Sequence, residues 1–130
     1  MTILVTGAAG FIGMHCTLRL LARGESVVGI DNLNDYYPVS LKQDRIAHVE
    51  KAGGDYRFIR CDFADHAALD AALEGIDFDR IIHLGAQAGV RYSIENPRAY
   101  AQSNLLGHLN MLELGRHGET KHLVYASSYS

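Results

Sequence analysis

Three glycines near the N-terminus, Gly7, Gly10 and Gly13, constrain this chain more than any other feature. Ahead of them runs the short apolar stretch Ile3-Leu4-Val5. Behind them Phe11, Ile12, Leu18, Leu20 and Leu21 give residues 11–23 an apolar side. Strand, glycine turn and helix, in that order, is the context in which such a trio marks a dinucleotide site. Gly7 turns the chain sharply off the strand without a Cβ clash. Gly10 leaves room for a pyrophosphate against the backbone, and Gly13 lets the helix pack closely on the strand. The helix start, at Phe11 and Ile12, offers unpaired N–H groups to phosphate oxygens. The spacing is GxxGxxG rather than GxGxxG, and alone it also fits a glycine-rich turn in an ordinary α/β domain.

A second feature narrows the choice. Residues 26–30 read as the next strand, ending in Asp31 about twenty residues beyond the glycines. A carboxylate at that tip accepts both ribose hydroxyls of an adenosine and repels a 2′-phosphate, so NAD is expected over NADP.

Strand and helix patterns alternate along the rest of the chain. Strands are expected at 2–6, 26–30, 56–60, 80–84 and 121–126, and helices at 11–23, 40–52, 65–74 and 97–117. Asp65 is placed as the N-cap of the third helix. Strands separated by helices imply parallel pairing with right-handed crossovers. The expected fold is therefore a doubly wound α/β sheet (Rossmann, NAD(P)-binding) of order 3-2-1-4-5, with ligands at the carboxyl ends of the strands. No linker interrupts the alternation, so residues 1–130 are taken as one domain.

The loops at those carboxyl ends supply further candidates. Asp62 can bond an adenine amino group, with the Phe63 backbone beside it, or cap the next helix. Leu84, Gly85, Ala86 and Gln87 form a small-residue loop that a ribose or nicotinamide can approach closely. Gln87 and Arg91 can reach a substrate anion. Asn104, on the long helix, can bond that loop or tie it to the helix. Tyr36 and Tyr37 either stack on a ligand or cover their own loop. His15, His83 and His108 read as packing residues, because the seven histidines show no metal-ligand spacing and no metal is expected.

Bulk properties exclude other classes. A net charge of −3 without a basic run argues against nucleic-acid or anionic-membrane partners. No apolar run reaches the length of a membrane span, and the N-terminus enters a strand without a leader pattern. Cys16 and Cys61 read as reduced thiols, and a cytoplasmic location is expected.

Taken together, Thr6-Gly7-x-x-Gly10-x-x-Gly13, Asp31-Asn32-Leu33, Cys61-Asp62, His83-Leu84-x-Ala86, Asn104-Leu105-x-Gly107 and Val124-Tyr125-Ala126-Ser127-Ser128 resemble the extended short-chain dehydrogenase/reductase family. Within it, the segments 32–37 and 87–97 are similar to those of UDP-glucuronate 4-epimerases. The resemblance implies a tightly bound NAD that takes hydride from sugar C4 and returns it to the opposite face. It places Asn32 with the cofactor residues and Ser93 and Ser130, beside Gln87 and Arg91, with the UDP-sugar. It implies Ser128, with Ser127 next to it, as the hydroxyl on the C4 oxygen. It also implies a Tyr-x-x-x-Lys base, in which a lysine charge favours the phenolate. A homodimer through the long helix is a further implication.

The sequence departs from that pattern in three places. It reaches Ser130 before any Tyr-x-x-x-Lys, and neither Tyr125 nor Tyr129 has a lysine at the required spacing. Tyr129 interrupts a run of small hydroxyl residues, and Gly85 stands where relatives carry alanine. The expectation is an N-terminal, cofactor-binding piece, truncated before the substrate domain. Related 4,6-dehydratases or UDP-glucose 4-epimerases, and a non-catalytic NAD-binding module, are the alternatives.

Overall fold

Residues 2–127 are described by a computed structural model, in which five parallel strands form one sheet. The strands are β1 (Thr2–Thr6), β2 (Ser26–Asp31), β3 (Tyr56–Arg60), β4 (Phe78–His83) and β5 (His122–Tyr125), in the order 3-2-1-4-5. This is the expected doubly wound arrangement. The register pairs Thr6 with Ile30 on one side and with His83 on the other, so the carboxyl ends of the three central strands are level. Whatever follows Thr6, Asp31 and His83 therefore converges on one edge of the sheet.

The helices are α1 (Phe11–Ala22), α2 (Val39–Ala52), α3 (His66–Ala72), α4 (Val90–Glu95), α5 (Pro97–Tyr100) and α6 (Gly107–His117), with a π-helical segment, Ala101–Leu106, between the last two. Alternation along β1 sends its side chains to opposite faces. Leu4 joins Val28, Ile30 and Ile81 in a core completed by Leu69 of α3, Leu73 at its C-cap and Met111 of α6. Ile3 and Val5 join Val27 and Ala8 in a second core, under Leu20 of α1. β1 is covered on both faces, which is why it reads as a continuous apolar run.

The expected element ends hold to within a few residues, and two features were not foreseen. Residues 90–95, expected as loop, form α4. The expected helix 97–117 is continuous in direction but widens into the π segment at its centre. None of the described helices is long and apolar enough to cross a membrane.

Candidate functional site

The glycine turn is fixed by sterics before any ligand is considered. Gly7 has φ +66°, and a Cβ there would lie 2.8 Å from the Gly85 nitrogen. A Cβ on Gly13 would stand 2.0 Å from the Gly7 carbonyl oxygen. The close approach at Gly13 is thus against the turn itself, where packing on the strand was expected. Gly10 has an ordinary φ of −78° and caps α1 without a side-chain hydrogen bond. The turn's own amides are engaged: Ala8 N–H donates to Ile30, and Gly10 N–H to Gly7. The first-turn N–H groups of α1, beginning at Phe11 and Ile12, lie beyond that uncapped residue and suit an anion. Both side chains are exposed, so these two residues contribute backbone only.

Asp31 ends β2, buried, and holds the turn from the other side. Its Oδ2 accepts from Ala9 N–H at 3.1 Å and its Oδ1 from Leu33 N–H at 2.9 Å. A carboxylate has roughly four acceptor positions, so about two remain for a diol. The next wall joins Tyr36 and Tyr37 to two cations the sequence did not single out. Lys42, near the start of α2, donates to Asn34 Oδ1 at 3.0 Å and lies 3.9 Å from Asp31 Oδ1. Arg45, one turn on, donates to the Ala9 carbonyl at 3.3 Å. Both cations approach the Tyr37 ring, at 4.9 and 5.8 Å from its centre. Tyr36 packs on Tyr92 of α4 with ring centres 4.9 Å apart, which joins the loop after β2 to the helix after the β4 loop. For this tyrosine, cover for the loop is the contact made.

The opposite wall is the loop after β4. Thr6 Oγ1 lies 2.6 Å from His83 Nδ1 and also receives Leu84 N–H and Gly85 N–H at 3.1 and 3.0 Å. A hydroxyl accepting two N–H groups has only its own proton left to give, so it donates to Nδ1. His83 is therefore the neutral tautomer carrying its proton on Nε2. Burial, and secondly the neighbouring His108, lower its pKa to about 4. The packing role expected of His83 is thus joined by a polar one. Further along, Asn104 receives Gln87 N–H at 2.8 Å and donates to the Gln87 carbonyl at 3.1 Å. The contact foreseen for Asn104, a tie from helix to loop, is the one made.

These walls enclose one cleft at the carboxyl edge of the sheet. Of the expected cofactor residues it is lined by Gly7, Gly10, Asp31, Asn32, Phe63, Leu84, Gly85, Ala86 and Gln87. Asn34, Tyr36, Tyr37, Lys42, Ala88 and Ser103 line it too, and of these Lys42 and Ser103 carried no sequence signal. Lys42 sits in a polar helix, and only its tertiary partners reveal its burial. Gly13 and Asn104 support the lining from behind. Asp62 lies outside, in a shallow groove with Arg60, Cys61 and Asp65. Its Oδ1 accepts from Ala64 N–H at 2.9 Å, while Asp65 caps α3 as expected.

The expected substrate residues are dispersed. Arg91 is exposed on α4, and Ser93 Oγ donates to the Val90 carbonyl within that helix. Gln87 is buried in the cleft wall, with Nε2 3.3 Å from the Ala88 carbonyl. Ser127 is exposed just past β5, and Ser128 and Ser130 lie outside the described residues. Gly85 is tighter than its exchange with alanine suggests, since a Cβ would stand 2.6 Å from Phe63 Cε1. Both cysteines are free, and burial raises the thiol pKa of each. Among the described residues no group of three or more His, Cys, Asp or Glu side chains could hold a metal ion.

The sequence profile described as GDP-mannose 4,6 dehydratase matches residues 4–130. A probable UDP-glucuronate 4-epimerase of Rhizobium meliloti is 48% identical over 130 residues, which are 100% of this chain and 38% of that one. UDP-glucuronate 4-epimerase 3 of Arabidopsis thaliana is 45% identical over 99% of this chain and 30% of its own. Among solved structures, the Y149F mutant of UDP-glucuronic acid 4-epimerase from Bacillus cereus, in complex with UDP-4-deoxy-4-fluoro-glucuronic acid and NAD, superposes with a TM-score of 0.84 at 36% identity. That likeness covers 98% of this chain and 40% of the other. The chain thus spans well under half the length of these relatives.

Proposed function

The chain belongs to the GDP-mannose 4,6 dehydratase family, and from that premise we propose that residues 1–130 form the dinucleotide-holding domain of an NAD-dependent UDP-sugar 4-epimerase acting on UDP-glucuronate. The observation that carries the reading is the meeting, in one cleft, of an uncapped helix start, a carboxylate with acceptor capacity to spare, and a loop of small residues. Each suits a different part of NAD. The α1 start, at Phe11 and Ile12, would hold the pyrophosphate beside Gly10, which lines the cleft without a Cβ in the way. Asp31, with Asn32 adjacent, would accept the adenosine ribose hydroxyls. The loop from Leu84 to Gln87, steadied by Thr6 and Asn104, would receive the nicotinamide ribose.

The chemistry that NAD supplies when bound is reversible acceptance of hydride from sugar C4. The part of this chain in that chemistry is to orient the ring and hold the wall still. Thr6 and Asn104 do so by filling the amides of Leu84, Gly85 and Gln87. Ser127, just past β5, and Ser128, next in the sequence, are the hydroxyls proposed for the sugar C4 oxygen. The dehydratase description of the matching profile keeps a second reading open, a nucleotide-sugar 4,6-dehydratase, which shares the C4 oxidation.

Calorimetric titration of the purified chain with NAD tests the proposal, with Asp31→Ala as control. Saturable binding, lost in the variant, is expected. A folded protein that binds no NAD would sink the cofactor assignment.

A further inference from the structure

Lys42 is 5% exposed, although lysine side chains are rarely buried unless paired. An ammonium has three N–H donors. One goes to Asn34 Oδ1 at 3.0 Å, and Asp31 Oδ1 at 3.9 Å is an ion-pair neighbour too distant for a hydrogen bond. Among the described residues this leaves donor capacity on a fixed cation that lines the cleft. Asp31 is the complement, an acceptor only, with two amides already bound. A diol presents both kinds of group, two O–H donors and two oxygens that accept. A carboxylate alone reads half of that pattern.

On the NAD reading above, we propose that Lys42 is a second reading group at the adenosine ribose. Asp31 accepts from the hydroxyls while Lys42 donates to a hydroxyl oxygen beside it. The geometry is set before the ligand arrives. Asn34 Oδ1 orients the ammonium, the Tyr37 ring covers it, and Arg45 anchors both that ring and the glycine turn through the Ala9 carbonyl. A buried, hydrogen-bonded charge loses little freedom on binding, so its contact counts for more than that of a solvated lysine.

The test is a thermodynamic cycle between Lys42 and the ribose. Dissociation constants are measured by calorimetry for NAD, 2′-deoxy-NAD and 3′-deoxy-NAD, each deoxygenated on the adenosine ribose, with the unmodified chain and with Lys42→Met. The unmodified chain is expected to bind at least one deoxy analogue about tenfold more weakly than NAD or worse. In Lys42→Met that penalty is expected to shrink by about fivefold or more, the signature of a direct coupling. An unchanged penalty, with every ligand weakened equally, would show that Lys42 only braces Asn34 and Asp31 and would overturn the proposal. So would an unmodified chain indifferent to both deoxy analogues. If melting curves show Lys42→Met unfolded, Lys42→Gln decides by the same criterion, because its amide keeps a polar group at the buried position while removing the charge and falling one bond short of the ammonium. A folded chain that binds no NAD overturns the cofactor reading and this proposal together, whereas NAD binding with an unchanged penalty overturns this one alone.

Discussion

A methyl group on Gly13 would put a carbon 2.0 Å from the Gly7 carbonyl oxygen, whereas one on Gly10 would lie 3.1 Å from the same atom. The two glycines should therefore fail differently. Gly13→Ala is expected to lower stability by about 3 kcal/mol or more, because backbone rather than a mobile side chain must move. Gly10→Ala is expected to stay folded, with its melting temperature little changed, and to bind NAD at least about tenfold more weakly. Urea unfolding and calorimetry on the pair separate the outcomes, and a destabilised Gly10→Ala with normal affinity would contradict the assignment. Thr6 carries three partners on one oxygen. In Thr6→Val the Leu84 and Gly85 amides lose their acceptor and His83 its donor, so a loss of roughly 2–4 kcal/mol is expected, with faster amide exchange at Leu84 and Gly85. His83 gives a pH dependence of definite sign. Its folded pKa, about 4, lies below the ordinary 6.5, so at intermediate pH the unfolded chain takes up a proton that the folded chain refuses. Stability should fall as pH drops from 6.5 towards 4 and level off below, by roughly 3 kcal/mol at most. An NMR titration in which His83 protonates near 6.5 would refute this pH dependence.

At the scale of elements, the π segment is the feature that most shapes the cleft. Successive residues of a regular helix point about 100° apart, yet Ser103 lines the cleft while Asn104 bonds the Gln87 backbone. A turn with i→i+5 spacing lets neighbouring residues serve one loop, and such bulges recur at functional sites. Deleting Gln102 should restore α-helical spacing and turn Asn104 off the loop. The expected result is a folded chain with weaker NAD binding and faster exchange at Gln87, checked by calorimetry and hydrogen exchange. The tie from Asn104 to the loop was legible in the sequence, but the π segment was not. Residues 97–117 carry a helical pattern with no glycine or proline break near Ala101, so nothing local marks the widening. The Gln87 backbone, which Asn104 of this segment bonds, is remote in sequence. α4 escaped for a related reason, since it starts at Gly89 with φ +100°, has no side-chain cap and buries none of its residues. By contrast, the strand order and the glycine turn were legible because short continuous apolar runs, their alternation with helical patterns and Cβ sterics are written in local sequence. Asp31 could be placed from spacing alone. Lys42 could not, because a lysine in a polar helix looks solvated until Asp31 and Asn34 are brought beside it.

Across the whole molecule, apolar surface is distributed unevenly. Leu105, Leu109 and Leu112 are 73%, 51% and 43% exposed, and their spacing puts them along one side of the last helical stretch. Val124 and Tyr125 of the edge strand β5 are 45% and 54% exposed. A face of this kind on a small domain drives association. The isolated chain is therefore expected to show an apparent mass that rises with concentration in light scattering. Leu105→Lys with Leu109→Lys should reduce that rise without changing NAD affinity. The surface around the cleft is uneven in another sense. Along the β4 wall, the amides of Leu84, Gly85 and Gln87 already have acceptors within the protein, and in the glycine turn Ala8, Ala9 and Gly10 do as well. In these two stretches the backbone donors still free for an anion are those of the first turn of α1, and the Lys42 ammonium adds a charged donor at the next corner. There the Asp31 carboxylate stands beside it, and on the far wall the amides of Leu84, Gly85 and Gln87 are occupied. A molecule whose two ends differ meets a surface that differs in the same order along its length. On the proposed cofactor reading, the cleft would therefore act as a directional lock, admitting such a ligand in one orientation and turning away its reversed copy.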